Sequence, residues 1–218
     1  MSVHPLIDFF ILQGVPLDTI VLLLMLPIVA TLVAFFRQII GIKAFGIYTP
    51  SIVTFAFLAF DPKGIKYGIA IFLSIIITGM LSRILLKHFR LLYLPRVAIT
   101  LTIVALTTLT MLVIGGSFNR TGLASVSIFP LLIMITLVEK FIATQIEKGD
   151  KTATILALET LGISLIGYAI VRYHVLIELI IAHPWVVLIT LPINVWLGKW
   201  TGLRVMEYLR FRKIFDQN

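Results

Sequence analysis

The sequence predicts an all-α fold: a polytopic membrane bundle of seven transmembrane helices, N-terminus outside, C-terminus cytoplasmic, its second helix short or broken. Three observations predict it. The 218 residues are 60% hydrophobic and 13% charged, with a mean hydropathy of +1.09, too little charge to cover a soluble domain of this size. The apolar residues fall in runs of about 20, the length that carries a helix through the hydrocarbon layer, and they do not alternate in polarity as the shorter strands of a membrane barrel would. The 18 Lys and Arg then fall unevenly on the connections between the runs.

The first run, residues 17–36, is stopped by Arg37; no basic residue precedes it, so it lacks the flank of a cleaved signal peptide. Residues 44–60 form a shorter run that opens with Gly46 and Pro50. Residues 67–86 are a full span with Arg83 in its last turn, and 97–114 follow Pro95, a residue suited to a first helical turn. Residues 123–138 are interrupted by Pro130, which neighbouring helices can accommodate. Residues 153–171 carry one acid, Glu159, and residues 176–197 carry Pro184 and Pro192. The longest polar connection is expected over residues 139–152. This divides the chain into an extracytoplasmic segment (1–16), a seven-helix membrane domain (17–198) and a cytoplasmic, amphipathic, basic tail (199–218) suited to lying on the membrane surface.

With the N-terminus outside, one set of alternate connections holds Arg37, Lys43, Arg83, Lys87, Arg90, Arg96, Lys140, Lys148, Lys151, Lys199, Arg204, Arg210, Arg212 and Lys213. The other holds only Lys63, Lys66, Arg120 and Arg172. Positive residues are retained on the cytoplasmic side, so the richer set is assigned there. The net charge of +8 is accordingly read as topology and contact with anionic headgroups, and nucleic acid is not an expected partner.

Several chemistries lack their residues. There is no cysteine, hence no disulfide, thiolate nucleophile or Cys-based metal site. His4, His88, His174 and His183 form no HExxH spacing, and neither a GxSxG elbow nor a phosphate-cradling Gly-rich loop occurs. The aspartates sit in or beside connections rather than paired within spans. No enzymatic activity, cofactor or metal is expected.

The segment RQIIGIKAFGIYTP runs from Arg37 to Pro50; YLPRVAITLTIVAL starts at Tyr93, SIFPLLIMITLVEKF at Ser127, LALETL at Leu156 and NVWLGKWTGLRVMEYLRFR at Asn194. In this order the five segments resemble the bacterial seven-transmembrane domain usually fused to an inactive transglutaminase-like domain, and the resemblance spans nearly the whole chain. It implies a location in the bacterial cytoplasmic (inner) membrane. It also implies association with transglutaminase-like proteins, ATP-grasp peptide or glutamate ligases and a small aspartic-protease-like protein, in an envelope peptide-modification system. In the family pattern the transglutaminase-like domain precedes the helices on the outer side. Here only about 16 residues precede the first span, so that domain is expected on a separate chain, unless the chain stands alone or is a fragment.

The candidate residues carry two readings each. Arg37, Gly41, Gly46 and Pro50 mark either a broken, ligand-facing helix or a tight turn with basic residues on headgroups. Glu159, an acid inside a span, either serves a proton, a substrate or an ion pair with Arg37 or Arg96, or makes a structural bond near the boundary. Arg96, Glu139 and Asn194 are structural polar or ion-pair candidates. Arg83, Lys87, Arg90, Arg204, Arg210, Arg212 and Lys213 form a cytoplasmic docking or headgroup-binding face. Trp185, Trp196 and Trp200 are read as interfacial anchors at the two ends of the last helix. The expectation is a scaffold or anchor that contacts lipid and is compatible with homo-oligomers. The rival is a transporter or channel for a small peptide or metabolite with Glu159 in its path, and a ligand-sensing receptor ranks last.

Overall fold

An apolar chain in hydrocarbon must satisfy every backbone N–H and C=O within its own segment, which favours helices. The computed structural model describes residues 4–60, 65–86, 88–89, 91–117, 128–202, 204–206 and 208, and every regular element among them is helical. Among the described residues, five helices are long and apolar enough to cross a membrane, or six if a bent C-terminal pair counts as one span. Only 22–44% of each long span's most apolar window is buried, so the remaining apolar surface is available to lipid. The chain divides into two compact units, Met1–Lys43 with Ile166–Asn218, and Ala44–Leu165.

In the first unit, a helix that the sequence reading did not assign, α1 (Pro5–Leu12), starts on a proline, and the His4 ring accepts the Leu6 N–H at 3.2 Å as its cap. Ile7 of α1 is buried with Ile20 and Ile181. Helix α2 (Leu17–Phe35) begins after Pro16 and does not stop at Arg37: a π turn, Phe36–Ile40, carries it on to Gly41, where φ is 94°. Glycine is the residue that enters this left-handed conformation without a Cβ clash.

The last apolar stretch is likewise not one straight helix. Helix α8 (His174–Ala182) ends at His183; a 3₁₀ turn, Pro184–Ile189, follows, and then α9 (Thr190–Lys199). The break bends the pair by 104°. Pro184 explains the place: it has no N–H to give, and it drives His183 out of the helical region, to φ −138° and ψ 72°. Trp185 and Trp196 both follow this break, in the Pro184–Lys199 segment.

The second unit contains α3 (Tyr48–Ala59), α4 (Ile65–Leu86), α5 (Tyr93–Ser117), α6 (Ile128–Lys148) and most of α7 (Asp150–Val171). Helices α4, α5 and α6 pack on one another, and α3 packs on α6 and α4. Their shared core includes Phe57, Ile71, Phe72, Ile75, Met134 and Phe141, each at most 1% exposed. The polar connection expected over 139–152 is not a loop. Glu139, Lys140, Glu147 and Lys148 are competent helix formers, and α6 runs through them to a single turn residue, Gly149, with φ 85°. The Gly149 N–H returns to the Gln145 carbonyl at 3.2 Å, and α7 starts at once. The beginning of the fifth apolar run, residues 123–127, lies outside the described residues.

Candidate functional site

The chain entering α3 is irregular because its backbone has to turn twice. Ala44 adopts φ 40° and Gly46 φ 85°, both left-handed, and Ala44 is the one non-glycine in that conformation among the described residues. An L-residue there costs about 1–2 kcal/mol, so the surroundings must hold it. They do: the Ala44 N–H donates to Glu159 Oε2 at 3.0 Å, and the Phe45 N–H donates to Thr160 Oγ1 at 3.1 Å. Ala44 and Phe45 are 6% and 8% exposed, so neither N–H could rely on bulk water instead.

One turn further along α7, Ser164 extends the same seam. Its hydroxyl lies 3.0 Å from the Pro50 carbonyl and 2.7 Å from the Thr160 carbonyl. The Thr54 hydroxyl sits 2.9 Å from the Pro50 carbonyl and 3.2 Å from that of Ser164. Thr54, Thr160 and Ser164 are fully buried. Pro50 is the third residue of α3, where its missing N–H costs no helical bond. From α6, the Lys140 ammonium donates to Thr49 Oγ1 at 2.9 Å, beside a cavity of about 80 Å³ that Ile52, Ile133 and Thr136 also line. The short second helix is thus fastened along its first two turns by side chains from α6 and α7.

A second polar cluster stands where α4 ends and α5 and α7 begin. Arg83 donates to the Gln145 carbonyl at 2.9 Å and forms an ion pair with Asp150. Arg96 donates through one terminal nitrogen to the Leu91 carbonyl at 3.2 Å. Its Nε is buried with no hydrogen-bond partner among the described residues, as is Gln145 Oε1. Among the described residues, Arg83, Ile84, Arg96 and Asp150 line a partly open cavity of about 300 Å³.

In the first unit, Asn194 of α9 donates to Thr31 Oγ1 of α2 at 2.7 Å, and that hydroxyl donates on to the Pro27 carbonyl at 2.7 Å. Gln38 of the π turn donates to the Trp200 carbonyl at 3.2 Å. Gly41 lies against the start of the tail, with a Cβ there standing 3.2 Å from Arg204 Cβ and 3.3 Å from Met206 Cβ.

The sequence-predicted residues therefore separate. Gly46, Pro50 and Glu159 come together in the α3–α7 seam. Arg96, one expected partner of Glu159, is grouped instead with Arg83 and Asp150. Arg37 lies in the π turn, Glu139 is exposed on α6, and Asn194 makes an interhelical bond. Lys87, Arg90, Arg210, Arg212 and Lys213 lie outside the described residues. The sequence reading missed Thr160, Ser164, Thr54, Lys140 and Asp150. A signal existed for two: Thr160 and Ser164 are four apart and share a helix face with each other.

A family model described as "7 transmembrane helices usually fused to an inactive transglutaminase" matches residues 4–215. No curated protein and no solved structure matches the chain.

Proposed function

Because this chain belongs to the family of seven transmembrane helices usually fused to an inactive transglutaminase, a multi-pass membrane domain, we propose that it is a non-enzymatic scaffold in the bacterial cytoplasmic membrane. It anchors an envelope peptide-modification system, holding a transglutaminase-like protein on the outer face and an ATP-grasp ligase on the inner one. Its seven spans are the five long helices, the bent α8–α9 pair and the short α3. Over its 12 residues, α3 rises about 18 Å, less than the hydrocarbon thickness of about 30 Å. The irregular residues before it make up the difference, and such backbone is tolerated at depth only where protein buries it. The N-terminus is outside, on the strength of the Lys and Arg distribution.

The observation that carries the scaffold reading is the engagement of Glu159. The acid expected to serve a transport path accepts the Ala44 N–H at 3.0 Å, which supports a role in fixing α3. One feature favours transport instead: a last span broken by 104° is the kind of discontinuous helix that builds substrate sites in secondary transporters.

Affinity purification of the intact protein in mild detergent, with mass spectrometry of its companions, tests the scaffold. Recovery of a transglutaminase-like chain or an ATP-grasp ligase in fixed ratio is expected. Recovery of the protein alone would overturn it and direct attention to flux measurements, in which Glu159→Gln abolishing transport would establish the rival.

A further inference from the structure

We infer that the cavity between the end of α4 and the starts of α5 and α7 is an oxyanion site that takes a phosphate group. Among the described residues its wall holds two guanidinium groups, Arg83 and Arg96, against one carboxylate, Asp150, one more positive charge than negative. Arg83 is already oriented, with the Gln145 carbonyl at 2.9 Å and the Asp150 carboxylate as its partners. Arg96 is not saturated. One terminal nitrogen reaches the Leu91 carbonyl at the long distance of 3.2 Å, while its buried Nε has no partner among the described residues.

A buried donor on a charged group is costly to leave unpaired. A guanidinium edge presents two parallel N–H groups whose spacing matches two oxygens of one phosphate. A volume of about 300 Å³ lies at the lower end of small-ligand sites and holds a phosphate with a small substituent. Position points the same way. Arg83 is in the last turn of α4, Arg96 in the first of α5, and Asp150 is the first residue of α7. Such helix ends meet the headgroup layer, where lipid phosphates are concentrated, and water, where free phosphate is. Asp150, its side chain 62% exposed, competes with the ligand for Arg83 and limits affinity.

The test is thermal unfolding of the purified full chain in detergent, titrated separately with short-chain phosphatidylglycerol and with inorganic phosphate. Saturable stabilisation is expected, with the apparent Kd raised about tenfold or more in Arg96→Gln and lowered in Asp150→Asn, which releases Arg83. Lys66→Gln, an exposed charge elsewhere, should leave it unchanged. A response to phosphatidylglycerol alone identifies a lipid headgroup, and a response to inorganic phosphate identifies a soluble source; either supports the site. No response to either probe, or Arg96→Gln binding as tightly as the native chain, overturns it. So does Asp150→Asn weakening binding as Arg96→Gln does, because the pair would then be structural only. The opposite signs expected for the two substitutions separate loss of the site from loss of the fold.

Discussion

Glu159 Oε2 of α7 accepts the backbone N–H of Ala44 at 3.0 Å, joining residues 115 positions apart in the chain. The bond falls where the backbone is least able to help itself. Ala44 is left-handed, has no helical partner and is 6% exposed. A carboxylate accepts such a bond more strongly than a neutral oxygen does, and Thr160 next to it covers the following N–H. Two consecutive residues of α7 thus hold two consecutive amides before α3.

Replacing Glu159 separates the hydrogen bond from the charge. Glu159→Gln keeps an acceptor of the same length and should cost under about 1 kcal/mol, whereas Glu159→Leu leaves the Ala44 N–H buried and unpaired and should cost about 1–3 kcal/mol. Thermal unfolding in detergent measures both. Equal losses for the two variants would mean that charge, not the bond to Ala44, is what stabilises the segment.

Gly41 and Gly46 should respond unequally to the same change. Both have φ near 90°, at 94° and 85°, so Ala at either costs about 1–2 kcal/mol in backbone strain. Nothing lies within 4 Å of a Cβ at Gly46. At Gly41 a Cβ would stand 3.2 Å from Arg204 Cβ, a clash added to the strain. Gly41→Ala is therefore the more destabilising, and it should also increase protease sensitivity around Arg204 while Gly46→Ala does not. Equal effects in both assays would remove the packing of the tail on the π turn from the account.

What could be read in advance followed from local chemistry. Long apolar runs gave the five long helices, and the Gly41–Pro50 stretch announced a short second helix. Three features depend on balances that a run of residues does not display. Lys148 and Glu147 read as loop residues because they are polar, but polar residues with high helix propensity extend α6 until Gly149 ends it. Pro184 breaks the last span although Pro27 stays within α2, and a proline's local cost does not say which outcome the neighbours will favour. Finally, Glu159 is visible as an acid needing a partner, but one group it engages is the backbone amide of Ala44, a group every residue carries and which only the tertiary fold selects.

Gly68 of α4 should be intolerant of a single methyl group for a different reason. A Cβ there would lie 2.8 Å from Phe57 Cδ1 and 3.0 Å from Phe60 Cδ2 at the end of α3, and Phe57 is fully buried. Small residues allow helices to approach closely in membranes, and overpacking such a contact costs about 1–3 kcal/mol. Gly68→Ala should lower the unfolding temperature, and Phe57→Leu in the same chain should recover part of the loss, giving a coupling energy in a double-mutant cycle. Strictly additive losses would mean that the ring is not what Gly68 accommodates.

The orientation is open to direct measurement because the native chain contains no cysteine. Single substitutions Lys43→Cys, Lys66→Cys and Lys151→Cys place a thiol at exposed positions without background. With positive residues retained inside, a membrane-impermeant maleimide should label Lys66→Cys in cells whose inner membrane is intact, and Lys43→Cys and Lys151→Cys only after that membrane is opened. The reverse pattern would invert the topology. Labelling of Lys43→Cys and Lys66→Cys from the same side would make α3 a re-entrant helix, because the chain between them would then return to the face it left. Opposite sides require α3 and the turn before it to traverse the bilayer together, and the bond from Ala44 to Glu159 would then lie on the crossing path.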